Sequence, residues 1–192
     1  MDSAPRLRTH LASDMALDLT SFDVGKHEAA RRRLADQGLR LTTLAAERAA
    51  RADALDRVYK LHNECRRRQP PLETRLDPIP RPDWVEAFVE GEEALPDAYF
   101  IAAEGERYLG VSMVVRNADE PSALTASFTG VLPEYSGRGI GLGLKIETIV
   151  YARAHGYAEI RTRLLDENVA MLRINVKLGF RVMRRELKQY RY

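Results

Sequence analysis

The chain has 192 residues and one cysteine, Cys65. Without a second thiol it forms no intramolecular disulfide, and a metal site built on paired cysteines is excluded. Lysine is scarce, with five residues against twenty-five arginines. Neither charge is in excess: thirty basic and twenty-eight acidic side chains leave +2. That is too little for a dedicated DNA-binding surface. No apolar run approaches the ~20 residues of a membrane span. Arg6, Arg8, Asp14 and Asp18 break up the N-terminal segment and leave no signal-peptide core. A cytoplasmic protein with no membrane and no nucleic-acid partner is the expectation. Hydrophobic residues at 45% and charged residues at 30% are a globular composition. At about 150 residues per domain, the length fits one domain plus an extension.

What is present is periodic. Met15, Leu17 and Leu19 alternate with polar or small residues as in a short strand, whereas residues 1–14 show no period. Lys26 to Gln37 is helix-forming and ends at Gly38. Leu39 and Leu41 alternate again through Leu44. Leu55, Val58, Tyr59 and His62 share one face of a second helix. Pro70, Pro71, Pro78, Pro80 and Pro82 mark a long loop, since proline extends neither a ladder nor a helix interior. Trp84 and Phe88, with Val85 and Val89, predict a short helix beyond it.

The hairpin signal Glu104-Gly105-Glu106 joins strands over 99–103 and 108–115. A third strand covers Ala123–Val131. A helix then runs to His155, followed by a strand over 158–164 and a helix over 168–178. Two short strands, 180–183 and 188–192, close the chain. This order predicts an α/β (α+β) fold, a mixed sheet covered by helices.

Between the third strand and the helix to His155 stand Gly137, Gly139 and Gly141, with Arg138 among them. Glycine permits a tight turn and close approach of a ligand to the backbone. The following helix presents unpaired amides and the positive end of its dipole. Together these make an anion site suited to phosphate, with Arg138 as an added charged donor. The nucleotide P-loop pattern fails here, because Lys145 follows Leu144 and no Ser or Thr comes next. The dinucleotide fingerprint fails too, with Leu142 in place of its third glycine.

The stretches "TGVLPEYSGRGIGLGLK" and "ENVAMLRINVKLGF" together resemble the GCN5-related N-acetyltransferase (GNAT) superfamily. The resemblance covers Tyr99 to Phe180. It extends more loosely to the helices before Tyr99, and the stretch also resembles the second module of actinobacterial tandem acetyltransferases. It implies a twisted, mostly antiparallel sheet, flanked by helices, that splays open beside the strand 123–131. Acetyl-CoA would lie in the splay as co-substrate, with no metal. The amides of Gly137, Arg138, Gly139, Ile140, Gly141 and Leu142 would hold its pyrophosphate. The strand end Thr129-Gly130-Val131 would pair with the pantetheine arm, and the Val131 N–H would polarise the thioester carbonyl. Asn168 would contact the pantetheine. The implied domain is 39–192, with residues 1–38 as an N-terminal extension of strand and helix.

The implied activity is acetyl transfer to an amine of a small molecule, by direct attack in a ternary complex. The alternative is a catalytically silent acyl-CoA-binding module or sensor. That alternative draws on the places where the sequence departs from the family. Ser136 opens the loop where Gln or Arg is usual. Asn175 stands at the position of the usual general-acid tyrosine, and an amide donates a hydrogen bond but no proton. Thr125 and Arg163 occupy positions where members carry a basic carboxylate. Glu64, His62 or a water chain are the remaining candidate bases. His62 and Glu64 either meet the acceptor or complete a buried face and a solvated one. Arg66, Arg67 and Arg68 read as a solvated helix end, or as contacts to an acidic acceptor or to the coenzyme's 3′-phosphate. His10, His27 and His155 read as surface residues. A loose N-terminal strand offers an edge to a second copy, which makes a homodimer a candidate assembly.

Overall fold

The computed structural model describes residues 7–69 and 77–191. Pro70, Pro71 and Tyr192, used in the expectations above, lie outside them. Seven strands form one sheet: β1 (Leu7–Asp18), β2 (Arg40–Thr43), β3 (Tyr99–Glu104), β4 (Arg107–Arg116), β5 (Ala123–Val131), β6 (Glu159–Leu165) and β7 (Arg181–Arg191). Their spatial order is β2-β3-β4-β5-β6-β1-β7. Neighbours are antiparallel except β5 and β6, which run parallel. The α-helices are α1 (Glu28–Asp36), α2 (Leu44–Ala50), α3 (Ala54–Arg67), α4 (Arg81–Val85), α5 (Ile140–Ala154) and α6 (Val169–Lys177).

Alternation along the strands gives the sheet two apolar faces, and helices cover both. On one side Leu44 of α2, Val58, Leu61 and Cys65 of α3, and Trp84 of α4 pack on Tyr99, Ile101, Val111 and Met113. On the other, α1 and α5 lie over Ala102 and Leu109 through Leu34, Ile140 and Leu144. Farther along α5, Ile146 and Ile149 pack on Met15, Leu17, Ile160 and Leu164, with Leu178 and Phe180 beyond α6. Helix α5 therefore underlies both halves of the sheet. Gly143 lets α1 approach it, since a Cβ there would sit 2.1 Å from Leu34 Cδ1.

The ends of the chain differ from expectation. β1 begins at Leu7, inside the segment that shows no period. Its backbone pairs with β7 over 7–16 and with β6 over 12–18, and a ladder on both edges requires no alternation of side chains. The strand is therefore not loose: where it pairs on both sides it has no free edge to offer a second copy. The two closing strands are one, β7, as long as β1 requires. Its run Arg184-Arg185-Glu186 lies on the outer edge of the sheet, where charge discourages further pairing. Helix α2 went unread because it is a single short segment of Ala, Glu and Arg. Thr43 caps it, accepting the Ala46 N–H at 3.2 Å. His10 is not a surface residue: it is buried, and Nδ1 lies 2.8 Å from Glu167 Oε1.

Deleting residues 1–18 removes the strand that joins β6 to β7. The expected outcome is loss of the cooperative thermal transition followed by circular dichroism. A truncated protein that still melts cooperatively would contradict the placement of β1 inside the sheet.

Candidate active site

β5 and β6 share only three residue pairs, Ala123–Thr125 with Glu159–Arg161. Thr162 Oγ1 still donates to the Ala126 carbonyl at 3.2 Å, and beyond that point the strands separate. The cause is local. Ala126 opposes Val114 on β4 and Phe128 opposes Met113, so Ser127 is an extra residue, a β-bulge. The bulge bends β5 away from β6 and reverses its faces. Ala126 packs on the α5 side with Leu124, whereas Phe128 joins the α3 side. No sequence signal marks Ser127.

Past the bulge, the inner edge of β5 stays on β4. Leu132 N–H donates to the Leu109 carbonyl at 2.9 Å. Strand alternation then turns the N–H groups of Val131 and Thr129 to the opposite edge, the one β6 has left. Both side chains are held: Thr129 Oγ1 lies 2.8 Å from Ser112 Oγ, and Val131 packs against the head of α5. Gly130 is required for a different reason. A Cβ there would meet Cys65 Cβ at 2.6 Å, so α3 lies directly on the strand. Burial pushes the Cys65 thiol up to about 12, which makes it packing and not a nucleophile.

The glycine loop follows β5 immediately. Gly137 and Gly139 have φ +80° and +84°, a region other residues enter only with strain. Nothing lies within 4 Å of the place a Cβ would take at either. The backbone there is left-handed and open to solvent. Helix α5 begins next, with Gly139 as N-cap and the Gly143 N–H to Gly139 carbonyl bond (3.0 Å) as its first turn. The amides of the helix's first turn, Ile140 to Leu142, precede that bond and have no partner within the helix. Arg138 is less free than its position promises. Nε donates to Gln37 Oε1 (3.1 Å), Nη2 donates to Glu104 Oε1 (2.9 Å), and the guanidinium stacks on Tyr135. It ties the loop to the end of α1 and to β3.

Asn168 caps α6, accepting the Met171 N–H at 3.2 Å. Asn175 is fully buried on α6. Its Nδ2 faces Met15 Sδ at 3.8 Å, and its Oδ1 has no donor among the described residues. Gly141 links these parts: its missing Cβ would lie 3.7 Å from Val131 Cγ2 and 3.6 Å from Ile174 Cδ1. The end of β5, the head of α5 and Ile174 of α6 thus meet at one place.

A cleft of about 1370 Å³ opens beside it, lined by Tyr59, Lys60, Asn63, Glu64, Arg67 and Arg68 of α3 together with Val131 and Ser136. Asn63 and Tyr59 build its wall: Asn63 Oδ1 accepts the Ile79 N–H and Tyr59 Oη donates to the Ile79 carbonyl, both at 2.8 Å. Glu64 is exposed and pairs with Arg68 at 3.8 Å. His62 is not in the cleft. It is 1% exposed, stacked on Phe128 and near Trp84 and Phe88, with Nδ1 2.9 Å from Tyr99 Oη. Arg163 is held by Asp14 and Glu186, and Thr125 Oγ1 accepts from Asn117 Nδ2. Among the described residues no cluster suited to a metal ion occurs, and no helix is long and apolar enough to cross a membrane.

The sheet splays at a bulge, and a left-handed glycine loop stands at the head of the next helix. Residues 25–162 match the acetyltransferase (GNAT) domain. The chain belongs to the GNAT acetyltransferase family. As a GNAT domain it is built for acyl transfer from acyl-CoA. Solved GNAT structures share its fold at low identity. A GCN5-related N-acetyltransferase from Sphaerobacter thermophilus superposes with TM-score 0.69 at 18% identity, over 98% of this chain and 53% of that one. A tandem GNAT protein from the clavulanic acid biosynthesis pathway gives 0.62 at 18%, over 98% and 55%. The glucosamine N-acetyltransferase region of a fungal multi-domain GH3 β-N-acetylglucosaminidase gives 0.66 at 14%, over 97% and 21%. The chain thus spans about half the length of two of these structures and a fifth of the third. No curated protein matches the sequence significantly.

Burial, with a smaller contribution from Arg66, lowers the His62 pKa to about 3 from an ordinary 6.5, so the folded protein holds the ring neutral. Below about pH 6.5 the unfolded chain takes up a proton that the folded one refuses. Stability then falls by up to about 1.4 kcal/mol per pH unit down to about pH 3. In urea unfolding, wild type should lose about 2 kcal/mol more than His62→Phe between about pH 6.5 and about pH 5. Equal losses would contradict the neutral, buried ring.

Proposed function

We propose that the protein transfers an acetyl group from acetyl-CoA to an amine of a small-molecule acceptor, by direct attack in a ternary complex. One observation carries this reading: the open, left-handed Gly137–Gly139 loop lies at the head of α5, beside a strand edge that β6 has left free. The amides of Gly137, Arg138, Gly139, Ile140, Gly141 and Leu142 take the pyrophosphate. The free edge at Thr129-Gly130-Val131 takes the pantetheine arm, and the Val131 N–H polarises the thioester carbonyl. Such a donor is typically worth about 3 kcal/mol to the transition state. Asn168, the N-cap of α6, contacts the arm. Asn175 contributes a hydrogen-bond donor at most, since an amide transfers no proton. Acetyl-CoA is a co-substrate, and no metal takes part. The acyl-CoA unit comprises residues 39–192, and residues 1–38 supply β1 and α1 as structural support. The acceptor enters by the cleft along α3, where Arg67 and Arg68 favour an acidic group. A homodimer would pair through the outer strand β2, because β1 is paired within the sheet and β7 carries a charged edge.

A second reading, a silent acyl-CoA-binding module, is favoured by one observation. Three positions where the family resemblance implies an acid or base, Thr125, Arg163 and Asn175, hold no proton-transfer group, and each already has a structural partner. Coenzyme A release across a panel of small amines separates the two readings. Release above the no-amine rate supports the enzyme, and binding without release supports the module.

Calorimetry with acetyl-CoA tests the cradle itself. Gly139→Glu forces a side chain into φ +84° and puts a carboxylate on the anion site. It should weaken binding at least about 30-fold, or about 2 kcal/mol. Unchanged affinity in a folded variant would place the coenzyme elsewhere.

A further inference from the structure

Arg138 stands between two glycines of positive φ, Gly137 and Gly139. Glycine takes either sign of φ at little cost, so Gly139 does not fix which way the peptide between residues 138 and 139 faces. The two orientations mean opposite things to an anion. In a planar trans peptide the carbonyl and the next N–H point in opposite directions. With the Arg138 carbonyl turned inward, the Gly139 N–H points outward as a donor. With the peptide flipped, the loop presents a carbonyl oxygen instead. A contact from outside the loop has to select the first orientation.

Gln37, the C-cap of α1, makes that contact. Its Nε2 donates to the Arg138 carbonyl at 3.2 Å and to the Arg33 carbonyl in the last turn of α1 at 3.1 Å. Its Oε1 accepts from Arg138 Nε at 3.1 Å. Both N–H groups and the oxygen of the carboxamide are thus engaged. The Arg138 carbonyl is drawn toward α1, which turns the Gly139 N–H away from it. Among the described residues no backbone carbonyl receives that N–H. Helix α1 is itself fixed to α5: Leu34 packs at Gly143, and Arg31 Nε donates to Glu147 Oε1 at 2.7 Å.

We propose that Gln37 is a positioning residue of the coenzyme loop: its carboxamide holds the Arg138 carbonyl inward, so that the Gly139 N–H faces the pyrophosphate. This rests on the reading that the amides of residues 137–142 take that group. Gln37 acts through Arg138 and does not touch the coenzyme. Residues 1–38 then orient the coenzyme loop as well as supporting the sheet.

The residue type suits the task. The clamp needs an acceptor for a guanidinium N–H and a donor for a carbonyl on one side chain. An ionised glutamate accepts from Arg138 but donates nothing, and a lysine donates but accepts nothing. The other contacts of Arg138, to Glu104 and the Tyr135 ring, hold its guanidinium and leave the direction of its carbonyl open.

The test needs no acceptor. Calorimetry measures acetyl-CoA, and competition against it measures inorganic pyrophosphate and S-acetylpantetheine, the arm without its pyrophosphate. Gln37→Met keeps the side chain's length and removes its hydrogen bonds. Acetyl-CoA and pyrophosphate should each bind about fivefold to tenfold more weakly, the worth of one hydrogen bond that selects the competent loop. S-acetylpantetheine should stay within about twofold. Equal weakening of all three ligands would show a general loosening of the site and overturn the proposal, as would unchanged affinity for acetyl-CoA. Gln37→Glu still accepts from Arg138 Nε but has nothing to donate to the carbonyl, so it should lose at least as much. Wild-type affinity in Gln37→Glu overturns the proposal even where Gln37→Met does not fold. Failure of wild type to bind acetyl-CoA at all would instead overturn the reading of the loop as the coenzyme site, and this proposal with it.

Discussion

The site depends on how little of β5 is joined to β6. Three parallel pairs hold the strands together, and the Ser127 bulge then turns β5 aside. Had the pairing continued, the N–H groups of Thr129 and Val131 would be bonded to β6 and unavailable to a ligand. The bulge leaves them facing outward while β4 keeps the strand's other edge ordered. Two half-sheets result, β2-β3-β4-β5 and β6-β1-β7. Helix α5 holds them at a fixed angle, with Leu144 under the first and Ile146 and Ile149 under the second. The helix that follows the glycine loop is therefore also the one packed under both halves of the sheet.

Charge is arranged in keeping with this. The many arginines form ion pairs across the surface: Arg31 with Glu147, Arg51 with Asp53 and Glu106, Arg107 with Glu134, Arg163 with Asp14 and Glu186. Exposed pairs of this kind each contribute about 0–1 kcal/mol. Arg138 belongs with them, because its guanidinium fastens the glycine loop to α1 and β3. The backbone amides at the head of α5 are fixed in direction by Gly137 and Gly139 and by the start of the helix. Lys145 differs: it is buried against the Phe180 ring, and among the described residues no carboxylate pairs with it.

The sequence was most legible where local chemistry decides structure. The strand 123–131, the hairpin at Gly105, the helix stops at Gly38, Gly156 and Gly179, and the glycine loop each carry their own signal. So did the family, because two motifs stand at a set separation. Features set by distant partners were not legible. The full length of β1 and β7 is set by each other's backbones: alternation marked only Met15, Leu17 and Leu19 of β1, and β7 read as two short strands. The bulge at Ser127 exists only relative to β4. His10 is buried by Glu167, which is 157 residues away. Lys145 did leave a trace, a lysine between Leu144 and Ile146 on an apolar helix face. Periodicity alone does not separate a buried cation from one that extends to solvent.

The central claim is that the head of α5 and the free edge of β5 are one acyl-CoA site. Hydrogen–deuterium exchange with and without acetyl-CoA measures it at the amides concerned. The account predicts slowed exchange at Gly137–Leu142 and at Thr129–Val131, with β2 and the outer strand β7 unchanged. Binding that leaves both segments unprotected, or that protects only the α3 cleft, would contradict it.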